Sequence, residues 1–182
     1  MNRIEKLVSS YENYISLPWS KNLAGAQKVI FLVYPKTEER RLRAYITSFE
    51  NVTIDQGYQW SSFDLTDSVA EWIVNLKYKQ EYFESPEDMI PIYPEYEKWI
   101  TNRINSFWGT QENPETTVLA LHGLGGIFGF SRISRIVEML TDAIKGRLLV
   151  FFPGEWENNN YRFLDARDGW NYHAVPITVD KG

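Results

Sequence analysis

The chain of 182 residues contains no cysteine. Disulfides, thiolate metal sites and cysteine nucleophiles are excluded, and the composition fits a reducing compartment. Histidine is almost as scarce. His122 and His173 are the only two, too few for a multi-histidine zinc site, although carboxylate-held magnesium stays open. Long hydrophobic runs are missing as well. VIFLVY (29–34) and LLVFF (148–152) fall far short of the roughly 20 residues that cross a bilayer. The opening MNRIEKLVSSYENYI lacks the basic-then-apolar build of a secretory signal, so a cytoplasmic location is expected. A basic stripe is the last absence. Net charge is −5, and the densest basic group, Arg40, Arg41 and Arg43, stands beside Glu38 and Glu39. That reads as a solvated helix face, because phosphate binding draws its affinity from unopposed Lys and Arg clusters. Autonomous nucleic-acid binding is not expected.

What the chain has in abundance is rings: 7 Trp, 11 Tyr and 10 Phe. Rings beyond what one small core encloses would lie at the surface, where Trp and Tyr favour interfaces. A core built from Trp and Tyr is the other reading. The length suits a single domain over 1–182, burying roughly 70% of the surface its unfolded chain exposes.

Along the chain, Ile4, Leu7, Val8, Tyr11 and Ile15 fall at helical spacing, predicting a helix over 1–17 that Pro18 ends. Lys28–Tyr34 is a continuous apolar run, the pattern of a strand covered on both faces. Thr37 is placed to cap a helix with Leu42, Tyr45, Ile46 and Phe49 inward. A short strand near Tyr58–Phe63 follows, then a helix with Val69, Trp72, Ile73 and Leu76 inward. Residues 77–94, rich in Pro, acids and rings, read as a partly helical excursion. A helix through Tyr96, Trp99, Ile100, Ile104 and Phe107 precedes a strand at Thr117–Leu121. A glycine-rich turn, Gly123–Gly129, leads to a helix with Ile133, Ile136, Val137, Leu140 and Ile144 inward. A strand at Arg147–Phe152, a polar loop and a short strand at Ala174–Ile177 complete the pattern. Strands alternating with amphipathic helices predict an α/β fold, a mainly parallel sheet of about five strands flanked by helices. Such a core is Rossmann-like or P-loop-like, without a Walker A motif.

Ligands in these sheets bind beyond the carboxyl ends of the strands. That places a candidate cleft at Asp64, His122, Gly123, Gly125 and Gly126. HGLGGIFGFSR (122–132) joins strand to helix as a phosphate loop does, yet its spacing fails. The residue five after Gly123 is Phe128, no lysine follows, and the dinucleotide fingerprint would need glycine at 128. A tight turn with close helix packing is the favoured reading, although free amides at a helix start still attract anions. His122 could act as a general base, but no serine stands in a nucleophile-elbow context. A lone strand-end histidine is more often structural.

The densest segment is FFPGEWENNNYRFLDARDGWNYHAVPI, 151–177. Pro153-Gly154 and Asp168-Gly169 are turn signals, Asn158–Asn160 suit tight backbone, and Asp165, Arg167 and Asp168 mix charges closely. It reads as an Ω-like loop held by its own ion pairs, with Trp170 and Tyr172 plugging the sheet edge. It also reads as a recognition surface carrying Trp156, Tyr161, Arg162, Arg167 and Asp168. Trp156, set among Glu155, Glu157 and three asparagines, is the ring least required by a core.

With FLVYP (31–35), SFDLTDSVAEWI (62–73), GIFGFSRIS (126–134) and RLLVFFPG (147–154), that segment resembles the BrxB family of bacterial BREX phage-exclusion systems. The likeness runs in order over about 28–177. The resemblance implies a small component of a multi-protein defence system that includes a DNA methyltransferase, a large ATPase and the alkaline-phosphatase-like PglZ protein. It implies an interaction role, above all with PglZ, and transfers no catalytic residue or cofactor. The chain is thus expected to be a non-catalytic adaptor. The alternative is a degenerate nucleotide-binding or hydrolytic enzyme using the strand-end cleft.

Overall fold

The structure, a computed structural model, describes residues 1–164 and 170–179. Helix α1 (Arg3–Ile15) opens on a capping box. Asn2 Oδ1 accepts from the Glu5 amide at 2.9 Å, and the Asn2 amide donates to Glu5 Oε2 at 2.7 Å, satisfying two amides left orphaned at a helix start. The Asn2 amide first, and Tyr45 Oη, which donates to Glu5 Oε1 at 2.8 Å, second, hold the Glu5 carboxyl below its ordinary pKa. Ile4, Leu7, Tyr11 and Ile15 are buried at the predicted spacing.

Strand β1 (Val29–Tyr34) is buried at all six positions. Helix α2 (Glu39–Asp55) follows, but Thr37 does not cap it. A 3-10 turn over Lys36–Glu38 intervenes, and Glu38 holds the cap position without a side-chain bond. Next come β2 (Gln59–Asp64), α3 (Ser68–Val74) and α4 (Lys79–Glu84). A 3-10 stretch over Pro86–Ile92, anchored by buried Met89, leads into α5 (Tyr93–Gly109). Then follow β3 (Thr117–His122), α6 (Ile133–Leu140), β4 (Arg147–Glu157), β5 (Asn160–Phe163), β6 (Trp170–Asn171) and β7 (Val175–Ile177).

The sheet is mixed. Its spine runs β2-β3-β4-β1-β7 with every pair parallel, and β5 pairs antiparallel with β4 and with β6. Helices cover both faces. Ile30, Leu32, Tyr34, Val118, Ala120, Leu149 and Phe151 pack on α1 and α2, whereas Val29, Phe31, Val33, Leu119, Leu121, Leu148, Val150 and Phe152 pack under α3, α5 and α6. Burial on both faces is why the central strands read as unbroken apolar runs rather than alternating ones.

The fourth strand corrects the sequence reading. It continues past Phe152 to Glu157, where a polar loop is expected. Asn158 and Asn159 take φ of 51° and 62°, the pair of positive values that a two-residue hairpin turn demands. The three asparagines therefore fold β4 back on β5, with Glu157 opposite Asn160 and Gly154 opposite Phe163.

Candidate functional site

All five spine strands point their carboxyl ends at one edge. There β1 leads through α2 to β2 at one side of the sheet, and β4 leads through the hairpin to β7 at the other. Neighbouring strands whose connections part in this way define the place where such sheets hold ligands.

One part of this edge is a polar network. Asp64 and His122 end β2 and β3 directly opposite each other. Asp64 Oδ1 accepts from the Thr66 amide at 2.9 Å and from Thr66 Oγ1 at 2.5 Å. Arg43 donates to Thr66 Oγ1 at 3.0 Å and to Glu39 Oε1 at 3.1 Å, and Glu39 also accepts from Tyr34 Oη. Burial alone would raise the Asp64 pKa. The Thr66 bonds and the neighbouring His122 and Arg43 outweigh it, so the carboxyl sits below its ordinary value. Burial lowers His122, against the pull of Asp64. His122 Nδ1 lies 3.7 Å from Asp64 Oδ1 and has no hydrogen-bond partner. At that distance the imidazole is not hydrogen-bonded to Asp64, and the Thr66 hydroxyl is already committed to Asp64 and Arg43.

The glycines have a packing role. Gly123 sits at φ 72°, where a Cβ would collide with the Asp64 carboxylate, and one on Gly126 would collide with the Thr66 carbonyl oxygen. The turn after β3 is thus pressed against the loop after β2, and only glycine permits that approach. Leu124 and Ile127 of the same turn are buried. A Cβ on Gly125 would meet nothing within 4 Å. Among the described residues no cluster of three or more His, Asp or Glu side chains could hold a metal.

The other part is the hairpin. β5 is the middle strand of a three-stranded antiparallel ribbon, with Tyr161 flanked by Trp156 on β4 and Trp170 on β6. Tyr161 was expected among the partner-facing residues, but it is 1% exposed. Its hydroxyl donates to the Ala174 carbonyl at 3.2 Å, and its ring meets Phe31 edge-on at 4.5 Å and also packs against Phe152 and Trp170. Trp170 packs on Phe31 and stacks on Tyr172, with Nε1 3.3 Å from Glu138. Trp156, on the outer strand, is 37% exposed. It borders a groove of about 490 Å³ between the ends of β1, β4 and β7, with Arg3, Val33, Tyr34, Leu164 and Val179 on its walls. Arg162 is exposed, 3.9 Å from Glu155. Arg167 and Asp168 lie outside the described residues, as does Asp165.

Away from this edge, Glu97 is buried. Its carboxylate accepts from Ser131 Oγ at 2.9 Å and from Arg135 Nε at 2.7 Å, clamping α5 to α6. The sequence held a sign of it. Glu97 stands three residues before Ile100 and seven before Ile104, on the apolar stripe, where a carboxylate requires a partner.

These features define an α/β fold with a braced hairpin at the edge of the sheet where its parallel strands end. A family model for the BREX protein BrxB matches residues 64–177, from the end of β2 through β7. The chain belongs to the BrxB family, a component of BREX phage defence that works with other BREX components. No curated protein and no solved structure matches it. Among the described residues no helix is long and apolar enough to cross a membrane.

Proposed function

We propose that this chain is a non-catalytic adaptor in a cytoplasmic BREX defence complex, and that its hairpin takes the PglZ phosphatase-like protein as partner. The observation that carries this is Trp156. It is the one large ring of the ribbon that the fold leaves more than a third exposed, while Tyr161 and Trp170 beside it are engaged with the core. A rigid aromatic on a braced frame, next to a groove, is how interface anchors are built. Arg162 on the same ribbon adds a charged contact at the rim.

We infer that the sheet is a Rossmann-like or P-loop-like core that has no phosphate loop. In a P-loop protein the glycines and lysine sit between a strand and its helix. After β1 that place is taken by Pro35-Lys36-Thr37-Glu38, without glycine. After β3 it is taken by glycines pressed onto Leu65 and Thr66. At the cleft around Asp64 and His122 the Asp64 carboxylate and the Thr66 hydroxyl are committed to each other and to Arg43, which weighs against a hydrolytic reading.

The test is a pull-down with tagged protein from cells carrying the whole operon. Recovery of the PglZ-like protein is the expected result. Recovery of other components without it, or a rise of several degrees in the unfolding midpoint with magnesium nucleotide, would contradict the proposal.

A further inference from the structure

The two outer strands of the parallel spine are built differently. β7 is three residues long and contains Pro176, so it offers few donors to a newcomer. β2 has six residues, Gln-Trp-Ser-Ser-Phe-Asp, paired one-to-one with β3 without a bulge. It carries no proline and no charge before Asp64, and among the described residues β3 is its sole strand partner. Proteins ordinarily blunt such an edge with lysine, proline, a bulge or brevity, because its open amides and carbonyls recruit another strand. This edge has none of those protections.

We propose that β2 pairs antiparallel with β2 of a second copy of this chain, joining the two sheets across a two-fold axis at Ser61. The reading is independent of the hairpin proposal. Alternation in the ladder supplies the register. The Leu65 amide donates to the His122 carbonyl, so Leu65, Phe63 and Ser61 direct their backbone groups at β3, while Asp64, Ser62 and Trp60 direct theirs outward. With Ser61 on the axis, outward Trp60 meets outward Ser62 of the second copy, and the reverse. That is the match an antiparallel pair needs. The same register sets Phe63 opposite Gln59, and Asp64 opposite Tyr58. No like charges face each other, which a strand pairing with itself achieves only if its middle is uncharged. Ser61 is small, and its hydroxyl is turned to Gln111 at 2.5 Å. A cleft of about 380 Å³ along this edge, walled by Phe63, Trp99 and Phe107 with Arg103 4.8 Å above the Trp99 ring, lies where Gln59 of the second copy arrives.

The absence of cysteine makes the test direct. Residues facing each other at a non-hydrogen-bonded antiparallel position have Cα atoms about 4.5 Å apart, within disulfide range. Ser61→Cys should therefore give a covalent dimer under mild oxidation. Sedimentation of the wild type across the micromolar range should show the mass doubling. Ser62→Pro removes an outward amide while sparing the β3 ladder. It should retain the circular dichroism of the wild type, sediment as a monomer, and abolish cross-linking when combined with Ser61→Cys. A wild-type chain that stays monomeric and a Ser61→Cys variant that never cross-links would overturn the proposal. A dimer that survives in folded Ser62→Pro would overturn it equally, by placing the contact elsewhere.

Discussion

The glycine-rich turn at 123–129 and the asparagine hairpin at 154–163 stand at the same edge of one sheet, and they reverse the impression each gives as sequence. The turn has the look of a ligand loop. Packing accounts for Gly123 and Gly126, which abut the loop after β2, and for Leu124 and Ile127, which fill the core, while Phe128 stays exposed against Phe163 of the hairpin. The hairpin has the look of a polar connection. Packing accounts for Tyr161 and Trp170 but leaves Trp156 at the rim of a groove. Glycines mark close approach of backbones as readily as they mark phosphates. A large ring that the core does not engage is the stronger pointer to a partner.

That contrast can be broken first at the brace. Tyr161→Ala removes a buried ring and its bond to Ala174, and should cost roughly 3–5 kcal/mol in denaturant unfolding. A loss well under 1 kcal/mol would mean that the ribbon does not rest on this ring. Trp170→Ala should follow at about 3 kcal/mol, since Trp170 is only partly buried. On the turn, Gly126→Ala drives a methyl into the Thr66 carbonyl. Overpacking of this kind costs about 1–3 kcal/mol. An unchanged midpoint would show that the turn has room to spare and would reopen it as a ligand loop.

The smallest expected effect is a pH dependence at His122. Its folded pKa is lowered by burial, with Asp64 and Glu39 opposing and Arg43 assisting. The unfolded chain therefore takes up the proton first as pH falls. Stability contributed by the neutral ring is complete above the unfolded value of about 6.5 and declines below it, toward the folded pKa. The unfolding midpoint of His122→Asn should fall less than that of the wild type as pH drops below about 6.5. An identical decline in both would remove His122 as a cause.

Much of the fold was legible because its core strands are covered on both faces and its helices carry clean stripes. Val29–Tyr34, Thr117–His122 and the α1 residues Ile4, Leu7, Tyr11 and Ile15 fall where the sequence pattern puts them. Three things were hidden, because the local sequence does not decide between the arrangements open to it. Strand order is set by crossovers that leave no local signature. The length of β4 depends on Asn158 and Asn159 taking positive φ, which permits pairing with β5 instead of a loop. Tyr161 and Trp156 have similar local surroundings, and only the position of β5 between β4 and β6 buries one and leaves the other at the rim. Of the candidate site, Asp64 and His122 do come together, and Trp156 is exposed as expected. Arg167 and Asp168 lie outside the described residues.

The central claim, that the hairpin presents Trp156 to a partner on a frame held by its neighbours, rests most directly on one paired measurement. Trp156→Ala and wild type are compared for thermal unfolding and for capture of the PglZ-like protein. Stability should change by no more than about 0.5 kcal/mol, as for other surface substitutions. Capture should weaken by about 2 kcal/mol or more, the scale of an interface hot spot, which is roughly 30-fold in affinity. A Trp156→Ala protein that unfolds with the wild type and still captures its partner at full strength would contradict the account.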